Sequence, residues 1–348
     1  MSGSQQQFER THIMTEKKVL KAEGVGELVG AVTALLGYMP AHSLVIAPLT
    51  GTRATSAMRV DLPTDAEVYP AMVAQVMGLT CRVQGVTGFA AVIYTDGTDS
   101  EHEGLAATLL SAASFIGLDV ATVAFVTPTT WGEYFEGAAR PLDTLPALPG
   151  PDLVRDGDQT SGASLPVVDE ALRVRIFNAP LPHPESVDAC ALFEDVLTWN
   201  VEALDAEKVA VLTGLVSLPI FRDVALAQWA TTEGQGRETL AAQKAFLNGA
   251  PIADEVGGVI LGQGSRPEVT RLQGALAVCR IAAAHAPTEE SAAALLTACG
   301  WLSWALGSST HASFYIDLAR AADPTLSMAD LMAELVAQGM LPEWVFTR

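Results

Sequence analysis

Residues 28–63 read LVGAVTALLGYMPAHSLVIAPLTGTRATSAMRVDLP, and this stretch decides the fold. Its first part has apolar residues at helical spacing and stops at Gly37, which predicts a helix over residues 27–36. Residues 43–49 then predict a strand, and residues 56–62 predict its hairpin partner across a short turn. The stretch therefore opens a domain that combines helix and sheet.

The next residues continue the alternation of strand and helix. A helix is predicted from a cap at residues 64–65 to about residue 83, and another over residues 100–116. Residues 88–95 and 120–126 are apolar runs of strand length, which are typical of strands buried on both faces. The resulting order, β-β-α-β-α-β, predicts an α/β N-terminal layer structure: a mixed sheet with covering helices.

The character of the chain changes at residue 140. Residues 140–184 are rich in Pro and Gly, which predicts a connector with one short helix at residues 168–177. Beyond residue 185 strand signals nearly vanish, so the C-terminal half is predicted to be all-α. The predicted domains are a flexible N-terminal extension (1–18), an α/β domain (19–139), the connector (140–184) and a helical domain (185–348). The helices of the helical domain are predicted over residues 186–204, 207–216, 221–231, 238–247, 267–286, 289–306, 312–322 and 328–339.

Composition excludes several classes of protein. The 348-residue chain is 49% hydrophobic and 17% charged, which excludes a disordered chain. Its net charge of −20 argues against nucleic acid and anionic membranes as partners, because both attract clustered Lys and Arg. The longest apolar run, residues 291–307, falls short of the ~20 residues of a membrane span, so we predict a buried core helix there.

The cysteines and the N-terminus both point to the cytoplasm. The four cysteines lie far apart and form no CxxC pair, so they support neither a zinc ribbon nor a redox motif. Their apolar neighbours predict buried free thiols in a reduced compartment. The polar residues 1–14 lack the apolar core of a signal peptide. We therefore expect a cytoplasmic protein.

Ser43 is the first candidate for chemistry. A nucleophile would need His42 as its base, but adjacent residues of a strand point to opposite faces. The flanking glycines of a nucleophile elbow are also missing, since Ala41 and Val45 occupy those positions. The preferred interpretation is a hydroxyl that satisfies the backbone of the turn before the strand.

Arg59 and Asp61 are the second candidate, because side chains two residues apart share one face of a strand. In one interpretation Arg59 binds an anion and Asp61 orients it. In the other, which is preferred, the two residues form an ion pair at the edge of the sheet. Both interpretations place a charged pair on an otherwise apolar strand, where an unpaired buried charge would be costly.

Asp96 is the third candidate, because it follows a predicted buried strand at the end where open α/β sheets bind ligands. Asp96, Asp99, Glu101 and Glu103 together could offer oxygen ligands to Mg²⁺ or Ca²⁺. The spacing departs from a calcium loop, and Ser100 with Glu103 makes a plain helix-capping box instead. We therefore predict no metal and no cofactor, and keep the four carboxylates as the alternative.

Strong catalytic and nucleotide motifs are absent from the sequence. No GKS or GKT follows a glycine-rich loop, and no GxGxxG follows a strand signal. The six histidines show no HExxH and no i, i+4 pairing. The sequence therefore assigns no reaction.

The first stretch carries a resemblance to a known family. The helix, the LLGYMPAHSLV turn and the RVDLP strand resemble the start of the actinobacterial family called domain of unknown function 4192. Tyr38 replaces the usual Phe of that family. Residues 221–223 (FRD), the segment 318–324 (LARAADP) and the final GMLPEW resemble later parts of the family, whereas residues 131–166 match it poorly. The matching positions of the first stretch are Gly37, Pro40, Ser43, Arg59, Asp61 and Pro63.

The resemblance implies an actinobacterial or phage origin but brings no known reaction, cofactor or partner. The leading hypothesis is a binding or regulatory protein that contacts a protein partner, a small ligand or a second copy of itself. One alternative is a divalent-metal-dependent hydrolase or transferase with its site near Asp96. Another is a structural component of a larger assembly such as a phage particle.

Overall fold

The computed structural model describes residues 22–54, 56–147, 153–249 and 257–346. The chain divides into two compact units. The first holds the residues up to Met77 and those from Thr87 to Arg155, and the second holds Gly78–Val86 and the residues from Asp156 onward. The division after Arg155 falls inside the predicted connector, and the predicted N-terminal extension lies outside the described residues. The predicted domain boundaries stay predictions.

A seven-stranded mixed sheet forms the centre of the first unit. The strands follow the order β2-β1-β4-β5-β6-β7, and β3 pairs with β1 on the same side as β2. Neighbours β4 and β5 are parallel, whereas β1 is antiparallel to β4, and β6 is antiparallel to β5 and β7. The strands are β1 Ser43–Thr50, β2 Arg53–Ala54, β3 Met58–Asp61, β4 Gly88–Tyr94, β5 Asp119–Val126, β6 Thr130–Glu133 and β7 Glu136–Pro141.

Helices cover the two faces of this sheet. Helix α1 (Val25–Leu36) ends at Gly37 in the left-handed conformation and packs on the face that includes Val45 and Val92. Helices α2 (Tyr69–Arg82) and α3 (Glu103–Ile116) belong to the core of the opposite face. Successive side chains of β1 and β4 alternate between these two cores, as the pleat of a strand requires. The predicted α/β layer structure is confirmed.

The predicted first hairpin is also confirmed, since β1 pairs with β2 and β3 across the turn. The hairpin of β6 and β7 was not predicted. All six residues of β7 are exposed, so this edge strand carries no apolar alternation that a sequence pattern could reveal.

All the regular secondary structure described in the second unit is helical, which confirms the all-α C-terminal half. One large apolar core joins its helices. The helix Glu289–Ala305, which contains most of the predicted buried core helix, is enclosed along almost its whole length. The helices are α4 Glu170–Asn178, α5 Ala189–Val196, α6 Ala206–Val216, α7 Pro219–Ala230, α8 Glu233–Leu247, α9 Val269–Ala284, α10 Glu289–Ala305, α11 Ser309–Ala322 and α12 Ser327–Ala337.

Three indole rings close one end of this core. The Trp304 ring lies 6.4 Å from both Trp301 and Trp344, measured between centroids. Each indole N–H donates to a backbone carbonyl, so the hydrogen-bond donors of all three rings are satisfied. Gly262 has φ +81°, and a Cβ there would lie 2.6 Å from Trp304, so only glycine fits.

Several local predictions were wrong. Helix α5 ends at Val196 rather than near residue 204, and just beyond its end the Thr198 hydroxyl donates to the Asp195 carbonyl at 2.7 Å. Helix α9 starts after Glu268, without a side-chain cap, rather than at residue 267. Cys81 is exposed, whereas the other three cysteines are buried, and all four are free thiols.

Among the described residues, no single helix has both the length and the apolar character of a membrane span. The pair α6 and α7 passes such a test together, by length and composition only, and is bent by 108°.

Candidate functional site

The polar side chains of the first unit gather at one end of its sheet, which we name the carboxyl end. It is the end at which the parallel strands β4 and β5 stop. In register, Ser43 lies between Asp61 of β3 and Tyr94 of β4. Open α/β sheets bind ligands at this end of their parallel strands, because the chain leaves the sheet there and opens a crevice.

Three predicted site residues meet here and form the arginine cluster, defined as Ser43, Arg59 and Asp61. Arg59 Nη1 donates to Asp61 Oδ1 at 2.6 Å, and Nη2 donates to Asp61 Oδ2 at 3.2 Å. Nη1 also donates to Ser43 Oγ at 3.0 Å, and Ser43 Oγ donates to the Ala41 carbonyl at 2.7 Å. The cluster lies on the sheet face that α1 covers, because Arg59 is paired with Val45.

Burial is uneven within the arginine cluster. The Arg59 side chain is only 9% exposed, whereas the Asp61 side chain is 75% exposed. An exposed carboxylate is well screened by water and stabilises a cation weakly. Within this pair the arginine side chain is therefore largely withdrawn from water, whereas the carboxylate side chain is not.

Tyr94 of β4 is the register partner of Ser43 and lies on the same face of the sheet. Its hydroxyl lies 2.9 Å from Thr33 Oγ1 on α1, and both residues are buried. Burial raises the pKa of Tyr94 to about 12, although the bond to Thr33 opposes the shift. Tyr94 thus stays neutral and holds α1 against the sheet beside the arginine cluster.

The opposite face carries the histidine cluster, defined as Tyr69, Thr95 and His102. The Tyr69 hydroxyl lies 2.9 Å from His102 Nδ1, and His102 Nε2 lies 3.2 Å from Thr95 Oγ1. All three residues are buried. Burial lowers the pKa of His102, the charge of Glu101 opposes this, and His42 lowers the pKa further. Burial and then Glu101 raise the pKa of Tyr69.

His42 stands immediately before β1 with φ +46°, a left-handed conformation that is uncommon for a residue other than glycine. Its carbonyl accepts from Leu62 N at 3.1 Å, which continues the pairing of β1 with β3. The Ser43 hydroxyl bonds Arg59 and Ala41, and within the described residues no hydrogen bond joins it to the His42 imidazole. The geometry agrees with the turn interpretation of Ser43.

Asp96 does not join either cluster. Its side chain is exposed, and none of the described residues forms an ion pair or hydrogen bond with its carboxylate. Glu101 Oε1 instead accepts from Thr98 N at 3.2 Å, and these two residues form a capping box. The predicted capping box of Ser100 with Glu103 was therefore wrong.

The alternative metal ligands are not gathered either. Asp99 Oδ1 accepts from Ser100 N at 3.0 Å. Within the described ranges, no three His, Cys, Asp or Glu side chains are grouped as metal ligands.

The residues of the arginine cluster were thus candidates from the sequence, as Ser43 and as the pair of Arg59 and Asp61, whereas the histidine cluster was missed. His102 lies among the candidate metal ligands and Thr95 directly precedes them, whereas Tyr69 comes from another helix. One signal was available: a histidine at the start of an amphipathic helix, seven residues after a strand end.

The second unit holds a groove of about 590 Å³ at the start of α6. Arg175 and Asn178 of α4 line one side, and Asp205 and Glu207 line the other. Asp205 already caps α6 by accepting from Glu207 N and Lys208 N. The groove is therefore a surface feature of two adjacent helices, with both charges represented.

A mixed sheet between helices, together with an all-helical region, defines a mixed α/β protein with its polar clusters at the carboxyl end of the sheet. A model of the family described as Domain of unknown function (DUF4192) matches residues 26–179, so this part of the chain is similar to that family. The match includes the arginine and histidine clusters. No curated protein and no solved structure matches the chain.

The match confirms the resemblance of the first stretch to this family. The later resemblances, at residues 221–223 and toward the C-terminus, lie outside the matched residues and stay predictions.

Proposed function

We propose that the protein is a binding or regulatory protein that takes a small ligand at the carboxyl end of the sheet in the first unit. The convergence of Ser43, Arg59 and Asp61 carries this proposal. An ion pair with a 75% exposed carboxylate contributes little to stability, and its two parallel bonds have the geometry by which guanidinium groups bind carboxylates and phosphates.

The position in the fold supports the same conclusion. The cluster lies beside the parallel pair β4 and β5, which is the usual site of ligands in open α/β sheets. We propose further that the protein is cytoplasmic, because its four cysteines are free thiols. We also propose an actinobacterial or phage origin, because of the similarity to the DUF4192 family.

The alternative functions have less support. A metal-dependent hydrolase would centre on Asp96, whose carboxylate lies outside both clusters. No described feature favours a structural component of an assembly over a binding protein. Both alternatives stay predictions.

Hydrogen–deuterium exchange of the full chain tests the proposed function. The probe is the low-molecular-mass fraction of a bacterial extract, added to the protein and compared with buffer alone. We expect slower exchange in peptides that contain residues 41–45 and 58–62. Protection confined to the second unit would contradict the proposal, and protection that requires the high-molecular-mass fraction would indicate a protein partner.

A further inference from the structure

A buried histidine, His285, joins the end of α9 to the start of α4 in the second unit. It follows the last residue of α9 and is only 3% exposed. Its Nδ1 lies 2.7 Å from the Ile281 carbonyl oxygen, and its Nε2 accepts from the Asp169 backbone N–H at 2.8 Å. Ile281 belongs to the last turn of α9, whereas Asp169 is the N-cap of α4.

The two partners of the His285 ring fix where its proton sits. An amide N–H can only donate, so Nε2 carries no proton while the bond to Asp169 exists. A carbonyl oxygen can only accept, so Nδ1 carries the ring proton. His102 in the first unit differs, because its partners are hydroxyls, which can donate or accept. The bond to Asp169 therefore requires one neutral form of His285.

The chain before α4 depends on this bond. Residues 164–169, which we name the strap, contact α9 at both ends: Arg280 Nη2 donates to the Ser164 carbonyl at 2.5 Å, and Asp169 bonds His285. Leu165 packs partly buried against the core, whereas residues 167–169 are exposed. Within the described residues, no backbone–backbone hydrogen bond involves residues 164–168. The strap is thus held by few contacts, and the one nearest α4 is His285.

Protonation of Nε2 would break the bond to Asp169 and keep the bond to Ile281. Nδ1–H still donates to that carbonyl, and the C-terminal end of a helix stabilises a cation. The new Nε2–H would face the Asp169 N–H, and two donors cannot bond each other. The charged side chains on the elements around the ring are Asp169, Glu170 and Arg173 of α4, Arg280 of α9, and Glu289 and Glu290 of α10.

These charges are engaged elsewhere or lie in water. The Asp169 carboxylate accepts from two backbone amides of the first turn of α4. Arg173 pairs with Glu170 at 2.9 Å, and residues 289–290 are exposed. If the Asp169 carboxylate turned to the protonated ring, α4 would lose its cap. Either response to the added proton therefore loosens the start of α4.

We propose that His285 is a pH-sensitive latch on the strap and the start of α4. The neutral ring holds the Asp169 N–H, and the protonated ring releases it. The released form binds one proton more than the latched form, so falling pH favours release. Histidine is the side chain that changes charge between about pH 5 and pH 8. This latch lies in the second unit and is independent of the ligand proposed for the first.

Nitrogen-15 nuclear magnetic resonance of the full chain tests the latch. At pH 7 the ring spectrum should show His285 as the neutral form with its proton on Nδ1. The Asp169 amide should exchange slowly with solvent at pH 7, relative to an unstructured chain at the same pH. On this relative scale we expect exchange to become about tenfold faster at pH 5, because the hydrogen bond to the ring is lost.

Variants separate the latch from other effects of acid. In His285→Gln the side-chain oxygen can still accept from the Asp169 N–H but does not titrate, so protection of this amide should be equal at pH 7 and pH 5. His285→Ala has no acceptor and should leave the amide unprotected at both. His102→Gln is the matched control, since it removes a buried histidine of the first unit. It should keep the pH response of the unaltered chain.

A ring proton on Nε2 at pH 7 would overturn the inference. So would an Asp169 amide that has the same relative exchange rate at pH 7 and pH 5 in the unaltered chain. A pH response that persists in His285→Gln would belong to another group and would also overturn it. The first two results come from the unaltered chain, so they decide the question even if a variant does not fold.

Discussion

The arginine–carboxylate pairs of the two units differ in what they connect. In the second unit, Arg271 of α9 donates to both Glu194 oxygens of α5, at 2.6 and 2.9 Å, and to the Gln228 carbonyl of α7 at 3.1 Å. This network cross-links three helices. In the first unit, Arg59 and Asp61 belong to the same strand, so their ion pair ties no two elements together.

The difference shows in how each carboxylate is held. The bond to Arg271 is the largest cause that lowers the pKa of Glu194, and burial opposes it. Gln228, which is fully buried, adds a bond from Nε2 at 3.1 Å. Asp61 has Arg59 alone as its ion-pair partner among the described residues, and it is mostly exposed. We infer that the network of the second unit serves stability and the arginine cluster serves binding.

Trp229→Ala should give the largest effect, on the stability of the second unit. Trp229 is fully buried, packs 5.8 Å from the Phe193 ring and donates to the Phe193 carbonyl at 2.9 Å. We expect a loss of about 3–5 kcal/mol, which native-state hydrogen exchange of α7 measures. Phe115→Ala is the control, because this side chain is 91% exposed and should change stability by less than about 0.5 kcal/mol.

Glu194→Gln should come next. It keeps the shape but removes the charge that faces Arg271, and we expect a loss of about 1–3 kcal/mol in urea unfolding at pH 7. The lowered pKa of Glu194 means that its contribution is present above the ordinary value of 4.5 and is lost as pH falls through the folded value. A variant as stable as the unaltered chain at pH 7 would show that the network is not a stabilising cross-link.

Arg59→Met should change stability by no more than about 1 kcal/mol, because the Asp61 carboxylate that it leaves is 75% exposed and ion pairs with exposed partners contribute little. The same variant should lose binding of phosphate and acetate. Urea unfolding and titration with these two anions measure the two effects on one sample. A loss of several kcal/mol in the free energy of unfolding would show that the arginine cluster stabilises the fold, as the network of the second unit does. The proposed difference between the two units would then be wrong.

His102→Gln should show the smallest effect, a change in pH dependence. The pKa of His102 is lowered below its ordinary value of 6.5, so the unfolded chain takes up the proton first as pH falls. The contribution of neutral His102 is therefore complete above pH 6.5 and declines below it, by less than about 1.4 kcal/mol per pH unit.

Unfolding from pH 7 to pH 5 should accordingly be less pH-dependent in His102→Gln than in the unaltered chain. Groups common to both proteins cancel in the difference. Parallel pH profiles would contradict the burial of a neutral His102.

The sequence predicted the fold of the first unit because its signals are local. Apolar runs mark β1, β4 and β5, and Gly37 marks the end of α1. The exposed strand β7 has no such pattern and was missed. Likewise, Arg59 and Asp61 could be paired from strand periodicity alone, since they are two residues apart.

The histidine cluster could not be predicted in that way. Tyr69 and His102 are 33 positions apart and meet only because α2 and α3 pack on the same face. The uneven burial of Arg59 and Asp61, which motivates the proposed function, also depends on tertiary packing. Sequence periodicity gives the face of a side chain but not its exposure.

The most direct test of the arginine cluster as the binding site is a nuclear magnetic resonance titration of the full chain with sodium phosphate and sodium acetate. It follows the Arg59 guanidinium and the backbone amides of both units. We predict that the Arg59 signal and the amides of residues 42–43 and 59–61 shift together, while the amides around the groove of α4 and α6 stay unchanged. Shifts confined to that groove, with a silent Arg59, would contradict the account.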